Sequence, residues 1–159
     1  MKTAGLSHVE WGSDVHALCT NETRLREIAA AQTAAGITCC SYGTYFRIGT
    51  TPVQELETYI SAAKILGTDV LRLWCGNKGA QDFTQEERVE LFHACSALAE
   101  IAQKHGVTLC MECHGGTFTD TEASALQLME AVNSPHFKMY WQPNQFRSIE
   151  ENLEYAHLL

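Results

Sequence analysis

The stretch Thr108-Leu109-Cys110-Met111-Glu112-Cys113-His114-Gly115-Gly116 is an apolar run that ends in a carboxylate and an imidazole. Residues two apart on a strand share a face, so Glu112 and His114 are expected to project together at the C-terminal end of that strand. Parallel α/β folds place their chemistry at that end. Polar residues at strand ends also cap helices or tie down loops, which is the competing structural reading. Moving outward, the junction of a small or apolar residue, Gly and an apolar run recurs at Ala4-Gly5-Leu6, Ala35-Gly36-Ile37, Leu66-Gly67-Thr68 and His105-Gly106-Val107. Each reads as a helix C-terminal Gly feeding a strand. Strands are therefore predicted over Ser7 to Trp11, Thr38 to Tyr42, Val70 to Trp74 and Val107 to Glu112, with a fifth over Phe137 to Trp141. They recur every roughly 30 to 38 residues, the length of a βα unit.

Helices fill the gaps. Thr51-Pro52-Val53-Gln54, Thr84-x-x-Glu87, Thr119-x-x-Glu122 and Ser148-x-x-Glu151 read as capping boxes. The longest helix, Gln85 to Lys104, sets Val89, Phe92, Cys95, Ala99 and Ala102 at helical spacing, as expected of a face packed on a sheet. Strand and helix alternating throughout gives an α/β class with parallel strands.

Composition narrows the function. A chain of 159 residues with 45% hydrophobic content can bury a core of its own. A net charge of −8, with the eleven Lys and Arg scattered, argues against nucleic acid as a partner. No apolar run approaches the roughly 20 residues of a membrane span, and the N-terminus lacks a basic-then-apolar signal pattern, so a cytoplasmic location and no membrane partner are expected. The seven Cys are read as reduced thiols in the core. Cys110 and Cys113 form a CxxC, but residues three apart on a strand point to opposite faces and do not converge on a metal; vicinal Cys39 and Cys40 diverge for the same reason.

The ends of the chain bear on its architecture. Met1 to Ala4 reads as the last turn of a helix, and the sequence stops at Leu158-Leu159 within or just after the helix that follows the fifth strand. An incomplete barrel of about five βα units is expected, with a five-stranded doubly wound sheet as the alternative.

The strand-end motifs then carry a resemblance. Gly12-Ser13-Asp14-Val15-His16, Ser41-Tyr42-Gly43-Thr44-Tyr45, Leu71-Arg72-Leu73-Trp74-Cys75-Gly76, Glu112-Cys113-His114-Gly115-Gly116-Thr117-Phe118-Thr119-Asp120-Thr121 and Tyr140-Trp141-Gln142-Pro143 resemble the xylose isomerase-like TIM barrel proteins, the sugar phosphate isomerase/epimerase group. The resemblance implies an eight-stranded (β/α) barrel of ~250 residues, of which residues 1–159 are a single, partial domain matching the second to sixth strands. It also implies a divalent cation (manganese, magnesium, cobalt or zinc) held by Glu, Asp, His and Glu from the fifth to eighth strands. Glu112 matches the first ligand, and Gln142 stands where the second is expected. A neutral amide weakens the site, and the last two ligands belong to strands with no counterpart here, so the ion is expected to bind weakly.

Other side chains are assigned to the same pocket. Glu112, His114 and Arg72 are the catalytic candidates. Arg72 shares a strand face with Val70 and Trp74, where it holds a substrate oxygen or pairs with Glu10 or Glu112. His16, Glu10, Trp74 and Trp141 are substrate-binding candidates, with Trp11 as a further aromatic that could floor a sugar site. The expected activity is that of a sugar or sugar-phosphate isomerase or epimerase, a cation assisting proton transfer through an enediolate on a small carbohydrate. A metal-dependent lyase or hydrolase on the same scaffold is the alternative. A third reading is a non-catalytic barrel fragment, associating with itself through open barrel edges or with a partner.

Overall fold

The computed structural model describes residues 2–143 and 147–158. Strands β1 (His8–Gly12), β2 (Thr38–Ile48), β3 (Val70–Cys75), β4 (Thr108–Glu112) and β5 (Phe137–Tyr140) form one parallel sheet in the order of the chain. Helices α1 (Glu22–Ala34), α2 (Leu56–Leu66), α3 (Gln85–His105) and α4 (Glu122–Val132) make the crossovers, and α5 (Ile149–Leu158) follows β5. Sequential parallel strands joined by crossovers of one hand put the helices on one side of the sheet. Burial agrees. Leu71, Leu73 and Cys75 of β3 and Leu109 and Met111 of β4 are buried under helices, whereas Val70, Arg72, Trp74, Cys110 and Glu112 are only partly covered. The sheet thus has one packed face and one open face, the arrangement of a partial (β/α) barrel rather than of a doubly wound sheet.

Local signals explain most of the element boundaries. Gly67 (φ 82°) and Gly106 (φ 64°) close α2 and α3 in the left-handed conformation that only Gly adopts without strain. The Thr84–Glu87 box forms with both of its hydrogen bonds, and Ser148 and Glu151 bond reciprocally ahead of α5. Two predicted boxes are corrected. Thr51 caps nothing: its hydroxyl accepts the Arg47 N–H, a 3-10 turn intervenes at Val53–Glu55, and α2 starts only at Leu56. Thr119 is buried and donates to the Glu112 carbonyl, so the cap of α4 passes to Thr121, which pairs with Ser124.

Two other expectations change. Val89 is 44% exposed; the buried stripe of α3 runs through Leu91, Cys95, Leu98 and Ala102, and a residue two positions from Leu91 lies on nearly the opposite side of a helix. Strand β2 does not stop at Tyr42 but continues to Ile48 through an irregularity: Gly43 pairs with Arg72, and Arg47 pairs with Trp74. Extra β2 residues bulge between those pairs, and the Thr44 hydroxyl bonds the Arg72 carbonyl at 2.7 Å across the bulge.

All seven cysteines are free. Cys39 is buried and Cys40 exposed, on opposite faces as expected, and Cys113 turns away from Cys110 to meet the Tyr155 hydroxyl at 2.8 Å. Among the described residues no helix is long and apolar enough to cross a membrane.

Candidate functional site

Arg72 projects from the middle of β3 onto the open face, where an isolated guanidinium would be costly. It is paired on both sides. Its Nε donates to Glu10 Oε1 of β1 at 3.0 Å, and its Nη1 donates to Glu112 Oε2 of β4. The three side chains are only 18%, 25% and 12% exposed, in the order Arg72, Glu10, Glu112. Burial pulls the Arg72 pKa down, but the flanking carboxylates outweigh it, and the guanidinium is held charged above its ordinary value.

Strand β2 lies between β1 and β3, so the Arg72–Glu10 pair has to cross it. It does so over Gly43, where a Cβ would sit 2.7 Å from Arg72 Nη2 and 3.0 Å from Glu10 Oε1. The second Glu10 oxygen accepts from the Ser41 hydroxyl at 2.8 Å. At the other end, Trp74 Nε1 donates to Glu112 Oε2 at 2.6 Å. With Oε2 taken by two donors, Glu112 presents Oε1, which no hydrogen bond among the described residues engages.

His114 lies in the loop beyond β4, its ring 5.1 Å from that of Trp74. Its Nδ1 is 2.6 Å from the Gly115 carbonyl, which can only accept, so Nδ1 is the donor of that bond and Nε2 is the ring nitrogen outside it. Buried Thr117 and Thr119 hold this turn, donating to the His114 and Glu112 carbonyls at 2.6 Å each. His114 also lines a cavity of about 610 Å³ beyond the ends of β4 and β5, together with Cys113, Asp120, Gln142, Arg147 and Tyr155. Across that cavity Arg147 forms an ion pair with Glu122.

The structure therefore gathers Glu10, Arg72, Trp74, Glu112 and His114 into one connected group. Gln142 reaches its margin, with Nε2 donating to the Cys113 carbonyl at 3.1 Å. Trp141, just past β5, is 39% exposed. Trp11 is corrected: its indole N–H donates to Gln32 of α1 at 2.8 Å, which puts it on the helix-covered face and not on the open one. His16 lies against Trp11, with ring centroids 6.4 Å apart, and among the described residues no hydrogen bond or ring contact joins it to the Arg72 group. Gly43, Ser41, Arg47, Thr117 and Thr119 were not singled out from the sequence as site residues; their roles depend on pairings between distant strands and on a loop's own hydrogen bonds.

The fit of a divalent cation can be judged from these donors. Glu112 has one oxygen committed to Arg72 and Trp74, Gln142 contributes a neutral amide, and among the described residues no group of three or more His, Cys, Asp or Glu is placed to hold a metal ion. These residues do not form a complete cation site.

Comparison with known proteins bears on the family and fold of the chain. A family profile described as xylose isomerase-like TIM barrel matches residues 1–156. A protein named 3-dehydroshikimate dehydratase, from Bacillus anthracis, is 28% identical over 106 residues, which are 67% of this chain and 34% of that protein. The crystal structure of the probable 3-DHS dehydratase involved in petrobactin synthesis, also from Bacillus anthracis, superposes with a TM-score of 0.75 at 24% identity, covering 87% of this chain and 53% of that one. A xylose isomerase-like TIM barrel protein from Mycobacterium smegmatis, in complex with magnesium, gives a TM-score of 0.67 at 14% identity over 99% of this chain and 60% of that one. At these identities the two structures are evidence of shared fold alone. The chain spans about a third to three fifths of the length of these relatives.

Proposed function

The chain belongs to the xylose isomerase-like TIM barrel family, and we propose that its open face forms part of an enzyme site that moves a proton on the carbon beside a carbonyl of a small polyhydroxylated compound. The observation that carries the proposal is the fixed carboxylate of Glu112, gripped at Oε2 by Arg72 and Trp74 and, among the described residues, engaged by no hydrogen bond at Oε1. A base with one oxygen anchored presents the other in a set direction. Glu112 takes the carbon-bound proton through Oε1 and the substrate is left as an enediolate. His114, through Nε2, accepts or returns a proton at a substrate oxygen. Return of the carbon proton to the neighbouring carbon is isomerisation, and return to the opposite face of the same carbon is epimerisation.

Expulsion of a hydroxyl group from the next carbon, with a proton from Glu112 or His114, instead releases water. This second reading, a dehydratase, is favoured by the 28% identity with a protein named 3-dehydroshikimate dehydratase. Both readings share the first proton transfer and differ in the fate of the intermediate.

A divalent cation, when bound, supplies charge for the oxygens of such an intermediate. With Glu112 and Gln142 as its only assigned ligands here, it is expected to be held weakly. A small carbohydrate substrate and a cytoplasmic setting complete the proposal. A second copy of the chain is the proposed partner, because β1 and β5 are the edges of the sheet and an uncovered edge strand offers its backbone to another.

The test is deuterium wash-in. The chain is incubated with manganese in D2O and a panel of aldoses, ketoses and 3-dehydroshikimate. Deuterium appearing at a carbon beside the carbonyl supports the shared step. Loss of one water from the product mass then identifies the dehydratase, and a rearranged or epimeric sugar the isomerase. No wash-in and no water loss across the panel would overturn the proposal.

A further inference from the structure

Resting on that reading of Glu112, we infer that Arg47 is a positioning residue that holds Trp74, and through it the Glu112 carboxylate, in place. Arg47 sits at the far side of the β2 bulge and pairs in register with Trp74, so the two side chains stand beside each other on the open face. Its guanidinium lies over the Trp74 ring, 4.6 Å from the centroid. Its Nη1 donates to the Gly76 carbonyl at 2.8 Å and reaches the Gly116 carbonyl at 3.4 Å. One cation thus ties the turn after β3 to the turn after β4 across the indole.

The rest of the indole's surroundings show why this matters. Tyr45 meets the Trp74 ring edge-on at 5.2 Å and is itself anchored by a 3.0 Å bond from its hydroxyl to Asp14, while the His114 ring lies 5.1 Å away. The only hydrogen-bond donor of the ring is spent on Glu112 Oε2. A tryptophan so placed is a lever: its ring is gripped by Arg47 and Tyr45, and its N–H sets the carboxylate. Without the bulge, β2 would bring a different side chain opposite Trp74, so the irregularity in β2 is what delivers the cation to the ring. A planar guanidinium suits the position, because it stacks on an aromatic face while its edge donates to carbonyls.

The experiment reads the indole directly. In the 15N-labelled chain three indole N–H signals are expected, from Trp11, Trp74 and Trp141, and Trp74→Phe identifies the relevant one by its loss. Arg47→Met is expected to speed solvent exchange of the Trp74 N–H about tenfold, while the Trp11 N–H, bonded to Gln32, keeps its rate and reports that the fold is intact. Arg47→Gln keeps a donor for Gly76 but removes the cation, and serves where the Met variant does not fold; the same direction of change is expected. In the wash-in assay Arg47→Met is expected to lower the maximal rate with KM within about twofold, because Arg47 acts through Glu112 rather than on substrate. A Trp74 exchange rate unchanged in either folded variant overturns the inference. Absence of wash-in in the parent counts against the proposed function alone, since the indole signal still decides the role of Arg47.

Discussion

Replacing Arg72 with Met removes the cation from between two carboxylates while keeping an unbranched apolar stem on β3. Removing one partner of a fully buried pair costs roughly 3 to 5 kcal/mol because a charge is left uncompensated. Here the open face admits water, with Glu10 25% and Glu112 12% exposed, so the cost is discounted to about 2 kcal/mol. For a chain of this length that corresponds to a fall in melting temperature of about 4 to 8 °C. Urea unfolding at pH 7 reads the loss, and adding Glu10→Gln to the Arg72→Met chain is expected to recover about half of it, because one of the two uncompensated carboxylates is then neutral. A deficit below about 0.5 kcal/mol, or one independent of Glu10, would show that the three residues are not a coupled unit.

Gly43→Ala places a methyl group 2.7 Å from Arg72 Nη2 and is expected to cost about 1 to 3 kcal/mol by urea denaturation, with slower wash-in as the pair is displaced. Acidification is expected to weaken the parent: Glu87, lowered by its bonds to Lys78 and the Thr84 N–H, and Asp14, lowered by the Tyr45 hydroxyl, have folded pKa values below their unfolded ones, so their contributions hold above the unfolded carboxylate range and fade as pH falls through the folded values. A urea midpoint that does not drop between pH 6 and pH 3 would contradict that sign. Titration calorimetry with manganese is expected to show binding weaker than about 10 μM, and light scattering a mass above that of one chain; tight binding by a monomer would refute the reading of both the donor set and the sheet edges.

The order and type of the elements were legible because each βα unit repeats the same local chemistry: a Gly stop, an apolar strand and a capped helix. Period-two alternation likewise put Arg72 on one strand face with Trp74 and Glu112 with His114, and the cost of leaving Arg72 alone pointed to a substrate oxygen, Glu10 or Glu112 as its partner; that it pairs with both carboxylates at once is seen only in the structure. The same alternation, carried one residue further, puts Trp11 opposite to Glu10, which is where Gln32 receives it. What was not legible depends on register between distant strands. Gly43 falls just past the predicted end of the second strand, and its role shows only when it is seen beneath the Arg72–Glu10 pair; Arg47 has no local signal for its place over Trp74, because the bulge that delivers it is a property of the β2–β3 pairing. Thr119 matches the capping motif in sequence, yet its burial and its bond to the Glu112 carbonyl outweigh local preference.

The central claim, that Glu112 is the base, is tested most directly by comparing deuterium wash-in for the parent and Glu112→Gln on whichever compound of the panel exchanges. The variant keeps an oxygen to accept from Arg72 and Trp74 but cannot take up a proton at neutral pH. The account expects slow wash-in by the parent and a loss of about a hundredfold or more in the variant, with folding unchanged by circular dichroism. Wash-in at the parental rate in folded Glu112→Gln would contradict it.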